Sequence, residues 1–303
     1  MSDLLLELFS EEIPARMQGK AAEDLRRLVT DGLVERGLTY AHAAAFATPR
    51  RLVLAIEGLA ERSSPVREER KGPKVDAPAQ AVEGFLRSTG LTRDQLEVRA
   101  DKKGEVYFAV TVKPGREAAG IVAEAVEAAV RGFPWPKAMR WGSGDLRWVR
   151  PLQSILCVLS REDGAEVVPL EIDGIKAGRE TSGHRFLAPG RVAVAGYDDY
   201  AARLRRAFVL LDPAERSAKI AHDAGQLAFA RGLEVVEDPR LLAEIAGLVE
   251  WPVTLMGRIE ERFLDLPPEV LQTSMREHQK FLSARNPATG RIEAYVVVAN
   301  RET

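Results

Sequence analysis

The sequence is poor in the residues that build most disulfide and metal sites. Its 303 residues include one cysteine, Cys157, and four histidines. A single cysteine excludes a disulfide within the chain and a cysteine-based zinc site. None of the histidines pairs with another at i, i+4 spacing, so a helical zinc site is not supported. Cys157 lies in an apolar run, which argues against a nucleophilic role.

Long apolar runs, targeting signals and catalytic fingerprints are also missing. Charged residues interrupt every apolar run well short of the roughly 20 residues that a membrane helix needs. The N-terminus lacks a positive region and a small-residue cleavage site, so no signal peptide is expected. There is no phosphate loop, dinucleotide fingerprint or Gly-x-Ser-x-Gly elbow. Together these absences predict a cytoplasmic chain without membrane contact, metal or assembled catalytic site.

The charge is small in total but unevenly distributed. A net charge of −2 argues against a protein that coats nucleic acid without specificity. Residues 131–161 nevertheless carry six basic side chains and one acidic one, whereas residues 234–277 carry ten acids and four bases. This asymmetry is compatible with a basic face for nucleic acid, and equally with solvated helices that carry charges in blocks.

Residues 133–151 stand out because they combine aromatic and basic side chains. Three of the four tryptophans lie here, interleaved with lysine and arginine. Such side chains can stack on bases and pair with phosphates. The alternative is that the tryptophans pack a corner of the core while the cations face water. The glycine-rich residues 141–145 are interpreted as a turn.

The first 75 residues predict a buried strand, an amphipathic helix, a second strand and a loop. The first strand covers residues 4–9. Ser10 is expected to cap the helix, with Pro14 in its first turn and an end near Gly37. A turn at residues 48–51 leads into the next strand. The charged residues 61–74 are interpreted as a loop and a module boundary.

The remaining elements follow from periodicity and turn residues. A predicted hairpin turns at residues 101–104, and a second strand pair covers 154–159 and 166–172. Asp212 is expected to cap a helix that begins at Pro213. The other expected elements are helices at 81–88, 117–131, 197–211, 241–248 and 267–283, and strands at 96–100, 106–112, 251–255 and 294–299.

These elements predict an α+β fold with several modules. Residues 1–65 and 136–195 are expected to form a mixed-sheet domain. Residues 66–135 form an inserted helix-hairpin-helix module, a small α/β unit. Residues 196–303 form a helix-rich second part that ends in a strand. Because the chain stops directly after that strand, it is expected to be a fragment of a longer protein.

Eight short motifs follow one another in an informative order. The combination resembles the N-terminal part of the beta subunit of the bacterial heterotetrameric glycyl-tRNA synthetase. The motifs are Ser10-Glu11-Glu12-Ile13-Pro14, Thr48-Pro49-Arg50-Arg51-Leu52, Lys71-Gly72-Pro73, Pro136-Lys137-Ala138-Met139-Arg140-Trp141-Gly142, Val149-Arg150-Pro151, Gly183-His184-Arg185-Phe186, Leu248-Val249-Glu250-Trp251-Pro252 and His278-Gln279-Lys280.

The resemblance implies an α2β2 ligase that joins glycine to its tRNA. The alpha subunit would carry the class II catalytic domain and use ATP with magnesium, so no cofactor and no catalytic residue are expected in this chain. The implied partners are the alpha subunit, a second beta subunit and tRNA(Gly). The resemblance also implies that relatives continue into an HD-type domain and an anticodon-binding domain, and neither is expected within these 303 residues.

The implied role of this part is tRNA recognition and subunit assembly. Two alternatives stay open: a purely structural module with buried tryptophans, and a hydrolytic editing-like module. Editing has little to act on, because no rival amino acid is smaller than glycine. The candidate RNA-binding residues are Arg50, Arg51, Lys71, Lys137, Arg140, Trp141, Arg147, Arg150, His184 and Arg185.

Overall fold

The computed structural model describes residues 1–101 and 104–301. The predicted turn at residues 101–104 includes Lys102 and Lys103, which lie outside this part. The strands, in chain order, are β1 (Ser2–Ser10), β2 (His42–Thr48), β3 (Arg51–Leu59), β4 (Val66–Lys74), β5 (Leu96–Asp101), β6 (Gly104–Lys113), β7 (Leu152–Arg161), β8 (Gly164–Val167), β9 (Glu171–Ile172), β10 (Ile175–Gly178), β11 (Glu180–Ser182), β12 (Arg191–Ala193), β13 (Glu234–Val235), β14 (Val253–Arg258), β15 (Leu282–Arg285) and β16 (Ile292–Ala299).

The described helices are interspersed among runs of consecutive strands that form several sheets, and this confirms the predicted α+β class. Three single turns accompany them, of which Met275–Gln279 is a π-helical turn. The helices are α1 (Ala15–Glu35), α2 (Ala79–Thr89), α3 (Ala118–Arg131), α4 (Tyr197–Arg206), α5 (Pro213–Phe229), α6 (Pro239–Ala246) and α7 (Pro268–Ser274).

The largest sheet is mixed and has the order β2-β3-β1-β7-β10-β9, with β8 on β7. Strand β1 lies between β3 and β7, antiparallel to both. Its side chains alternate between two buried faces, which is why the sequence reads as one continuous apolar run. Leu6 packs in the core formed with α1 and α3, whereas Leu5 packs against Tyr200 and Leu204 of α4. Glu7 therefore points to the α4 side.

The predicted start of the first helix is wrong. Ser10 is the last residue of β1, where its N–H donates to the carbonyl of Arg50 at 2.8 Å, and its hydroxyl donates to the carbonyl of Glu11. Helix α1 begins at Ala15, after an uncapped Pro14. The two carboxylates of Glu11 and Glu12 thus lie outside the helix and are free to pair with cations.

Strands β4, β6 and β5 form a separate sheet covered on one face by α2. The prediction of a loop at residues 61–74 is wrong for β4, which is an edge strand. The pattern did not reveal the strand, because its charged residues lie on both faces and leave no apolar alternation. Helix α3, assigned by pattern to the inserted module, instead places Ile121 and Val126 in the core of the main sheet. The domain boundaries themselves stay a prediction.

A four-stranded sheet in the order β13-β15-β16-β14 packs with α5 and α6 in the second part. Asp212 caps α5, as predicted, by accepting from Ala214 N at 2.8 Å. The expected helix at 267–283 is wrong beyond Gln279, where the chain turns through Lys280 into β15. The single strand expected at 166–172 is also wrong. The chain forms two short strands here: β8 pairs with β7, whereas β9 pairs with β10.

In the part of the chain that the structure describes, none of the helices is long and apolar enough to cross a membrane.

Candidate functional site

Several of the eight motifs meet at the end of β1. Ser10 and Arg50 are joined by the backbone hydrogen bond given above, and Glu11 N donates to the carbonyl of Pro151 at 3.0 Å. The Arg185 guanidinium contacts the Glu12 carboxylate at 2.8 Å. Segments distant in sequence are therefore neighbours in one junction, which we call the motif junction.

The centre of the motif junction is the Arg51 side chain, which is fully buried. Its Nε lies 3.1 Å from Oε2 of Glu7, and its Nη1 pairs with the Glu250 carboxylate. Its Nη2 donates to the carbonyl of Ser182. Thr48 donates to the same Glu250 oxygen at 2.7 Å. Removing charges from water is costly, and a buried pair is stabilised only when such additional hydrogen bonds satisfy it.

Glu7 is held by two hydroxyl groups as well as by Arg51. Thr181 donates to its Oε2 at 2.8 Å and Tyr200 at 2.5 Å. Burial raises the pKa of Glu7, and Arg51 offsets only part of this effect. Burial would also raise the pKa of Glu250, but attraction to Arg51 and the hydrogen bonds outweigh it, so that pKa lies below its ordinary value.

Arg216 forms a second buried link between the main sheet and the second part. Its guanidinium donates to four carbonyls at 2.7–3.0 Å, and one of them belongs to Ala47 in β2. Burial lowers the pKa of Arg216 to about 10, which leaves it a cation at neutral pH. The sequence holds no signal for this residue, because it lies among ordinary helix-surface residues.

His184 has a structural position and no exposed surface. Its Nδ1 accepts from the backbone N–H groups of Phe186 at 3.3 Å and Leu187 at 3.2 Å, so the neutral ring carries its proton on Nε2. Its own backbone N–H donates to the carbonyl of Ala207. His184 thus organises the turn that presents Arg185.

The surface of the motif junction is electrostatically mixed. Arg185 also lies 3.6 Å from Glu11, and Arg50 lies 3.8 Å from the same carboxylate. Arg50 is only 12% exposed and stacks on the Phe9 ring at 4.6 Å. Burial lowers the pKa of Arg50, and the nearby Arg185 lowers it further. These carboxylates neutralise much of the positive charge that a phosphate would meet here.

The tryptophan stretch is anchored by an aromatic cluster. Trp148 is fully buried, and its ring centroid lies 4.9 Å from that of Phe133 and 5.0 Å from that of Trp135. Trp148 and Met139 exchange two backbone hydrogen bonds of 2.8 and 3.1 Å. Trp135 and Trp141 keep partial exposure. The structure therefore combines both sequence interpretations: a packed anchor and an accessible surface.

The cations of this stretch face solvent. Lys137, Arg140 and Arg147 are exposed, and within the described ranges none has an acidic partner within ion-pair distance. Arg150 is half-buried and donates to the carbonyl of Val149 at 2.8 Å. The predicted turn at Gly142 is present. This stretch is the part of the candidate set that carries uncompensated positive charge.

The remaining candidates lie elsewhere. Lys71 belongs to β4 in the separate sheet and pairs with Asp101. The motif at residues 278–280 ends the π-helical turn, with Lys280 in a left-handed conformation (φ 57°) and 3.2 Å from Glu244. The ten predicted residues therefore do not form a single site. Arg51 and His184 are buried. Arg50 and Arg185 are paired with carboxylates, whereas the exposed cations of the tryptophan stretch have no such partner among the described residues.

Comparison with known proteins agrees with the resemblance seen in the motifs. The sequence model of the family described as "Glycyl-tRNA synthetase beta subunit" matches residues 4–303. The glycine–tRNA ligase beta subunit of Paracoccus denitrificans is 71% identical over all 303 residues, and that of Ruegeria sp. is 69% identical. In both cases the chain spans 44% of the relative's length.

The match of the family model over residues 4–303 places the chain in a family of aminoacyl-tRNA synthetase subunits. More particularly, the chain belongs to the family of glycyl-tRNA synthetase beta subunits. The relative from Dinoroseobacter shibae, 65% identical, carries the same name as the other two. The motif resemblance is thereby confirmed.

Proposed function

We propose that this chain is the tRNA-recognition and assembly part of a glycine–tRNA ligase beta subunit. It would support the ATP-dependent attachment of glycine to tRNA(Gly) by the alpha subunit. The family membership supports the general role. The solvent-facing cations Lys137, Arg140 and Arg147 are the observation that carries RNA binding, because the residues around them leave their charge uncompensated.

The proposed partners are the alpha subunit, a second beta subunit and tRNA(Gly). ATP and magnesium would act at the alpha subunit, and the bond-making groups would belong to that polypeptide. Cys157 does not offer a nucleophile here, since burial raises its pKa to about 12. The cytoplasmic location stays a prediction.

A titration of the 303-residue chain with tRNA(Gly) and with an unrelated tRNA tests this proposal. Binding should prefer tRNA(Gly) and weaken steeply between about 50 and 200 mM salt, because phosphate contacts release counterions. Equal, salt-independent binding of both tRNAs, or no binding at all, would contradict the RNA role.

The second candidate is a module that serves only assembly. The motif junction favours it, because Arg51, Glu250 and Arg216 tie distant segments together without presenting a surface. This alternative requires buried tryptophans, and of the three in the stretch only Trp148 is fully buried. A chain that binds the alpha subunit but no tRNA would favour assembly alone.

A further inference from the structure

A cleft of about 460 Å³ opens beside the tryptophan stretch, at the junction of α3 with the following loop. We call it the aromatic cleft. Its volume is within the range of small-ligand sites, roughly 300–1,000 Å³. Its walls combine three cations with three flat or rigid apolar groups, and among the described lining residues there is no acidic side chain. These side chains belong to Arg131, Phe133, Trp135, Pro136, Lys137 and Arg147.

Two of the three cations of the aromatic cleft are not paired with a carboxylate among the described residues. Arg131 pairs with Glu127 at 2.8 Å, one turn earlier on α3. Lys137 and Arg147 have no acidic partner within the described residues. Lysine presents a compact charge and arginine a planar fork, and both bind phosphate oxygens. The cleft is therefore built to receive an anionic group.

The aromatic wall of the cleft is held in place before any ligand arrives. The ring centroids of Phe133 and Trp135 are 4.6 Å apart, and both rings pack on the buried Trp148. Pro134 and Pro136 flank Trp135 and restrict the backbone on either side. A wall fixed in this way loses little conformational entropy on binding, which favours recognition of a flat ring.

We propose that the aromatic cleft binds one unpaired nucleotide of an RNA. The base stacks on the Phe133–Trp135 wall while Lys137 and Arg147 hold the adjacent phosphates. An acidic peptide would satisfy the cations but would leave the aromatic wall without a flat partner. A base inside a continuous duplex is already stacked on its neighbours, so the ligand must be single-stranded or at a strand end. This inference rests on the proposed RNA-binding function and specifies its location.

Binding of a fluorescently labelled single-stranded RNA hexamer to the full 303-residue chain tests the proposal. Trp135→Leu should weaken binding about 5- to 150-fold with an unchanged salt slope, because it removes stacking and no charge. Trp135→Phe should retain most of the affinity, since it keeps a ring. The double variant Lys137→Ala/Arg147→Ala should lower the salt slope by about 1.4, at about 0.7 per single-strand phosphate contact.

Arg231→Ala is the matched control, because Arg231 is exposed, lies after α5 and has no acidic partner among the described residues. It should bind like the unchanged chain. Thermal unfolding shows whether each variant is folded. If Trp135→Leu unfolds, Lys137→Ala/Arg147→Ala keeps the test decisive, because both side chains are exposed and an unchanged salt slope would overturn the assignment. The paired duplex of the same hexamer and polyglutamate should both compete weakly.

The possible failures are distinguishable. If the chain binds tRNA(Gly) but the cleft variants behave like Arg231→Ala, this assignment is wrong and the proposed function stands. If the unchanged chain binds no RNA, the proposed function fails together with it. If polyglutamate competes as well as the hexamer and Trp135→Leu has no effect, the cleft is an anion site without base stacking, which also overturns the assignment.

Discussion

Arg51 and Glu250 are 199 residues apart in the chain and form a buried ion pair, in which neither side chain is more than 3% exposed. Through this pair the main sheet is tied to the segment that leads into β14. Glu7, on the central strand β1, contacts the same guanidinium. The pair therefore joins residues from distant parts of the chain in one buried electrostatic joint.

Replacing Arg51 with methionine should destabilise the chain by about 3–5 kcal/mol, because it leaves two carboxylates buried without their cation. Methionine retains much of the packing volume, so the loss reports mainly on charge. The free energy of unfolding from urea denaturation measures it.

Arg67→Met is the matched control for this change. Arg67 also lies on a strand between two carboxylates, Glu69 and Glu97, but its side chain is 55% exposed. Exposed pairs contribute little, so stability should hardly change. If both substitutions lowered the free energy of unfolding equally, burial of the Arg51 ion pairs would not contribute to their effect on stability.

The two carboxylates of the joint should respond to acid in opposite directions. The pKa of Glu250 is lowered from 4.5, so its contribution to stability is present above pH 4.5 and is lost as the pH falls through the folded-state value. Glu250→Gln should therefore lose less stability than the unchanged chain below pH 4.5. Unfolding free energies measured across this pH range check the difference.

Glu7 has the opposite sign because its pKa is raised from 4.5 in the folded chain. Its contribution is fully present below pH 4.5 and is lost as the pH rises through the folded-state value. Glu7→Gln should flatten the part of the stability curve above pH 4.5. Identical pH profiles for Glu7→Gln and Glu250→Gln would contradict the assigned environments.

Gly144→Ala should destabilise the turn that follows Trp141. A Cβ at Gly144 would overlap the Asp173 carboxylate, which also accepts from the backbone N–H of Asp145 at 3.2 Å. Asp173 must turn away to make room for the Cβ and then loses this hydrogen bond, so the expected cost is about 0.5–1.5 kcal/mol. Gly178→Ala is the control, because a Cβ there meets no atom within 4 Å. Thermal unfolding compares the two, and equal midpoints would show that the turn accommodates the clash.

The sequence predicted correctly those structural features that depend only on residues close by in the chain. Asp212 and Pro213 mark the start of α5 because capping needs only the next few backbone groups. The prediction that Ser10 caps a helix is wrong because Ser10 ends strand β1. Its backbone hydrogen bond with Arg50, a residue 40 positions away, holds it in the strand. The charged side chains of β4 find their partners on β5 and β6, so the strand has no apolar alternation that would mark it in the sequence.

The site could be predicted only in part for a related reason. Arg50 and Arg51 are adjacent and chemically identical, yet the Arg50 side chain keeps 12% exposure and the Arg51 side chain is fully buried. What separates them is Glu250, which no local pattern connects to them. The basic aromatic stretch was recognised because its signal is compositional and contiguous. The sequence could not show that Trp148 of this stretch is buried while its cations are exposed, because that depends on packing against α3 and the main sheet.

The salt dependence of tRNA(Gly) binding by Arg140→Ala tests the central claim most directly. Arg140 is exposed and outside both the motif junction and the lining of the aromatic cleft. If the stretch contacts RNA, the substitution should weaken binding and lower the salt slope by about 1, while Arg231→Ala leaves both unchanged. A folded Arg140→Ala chain with the affinity and slope of the unchanged chain would contradict the claim that this stretch binds tRNA.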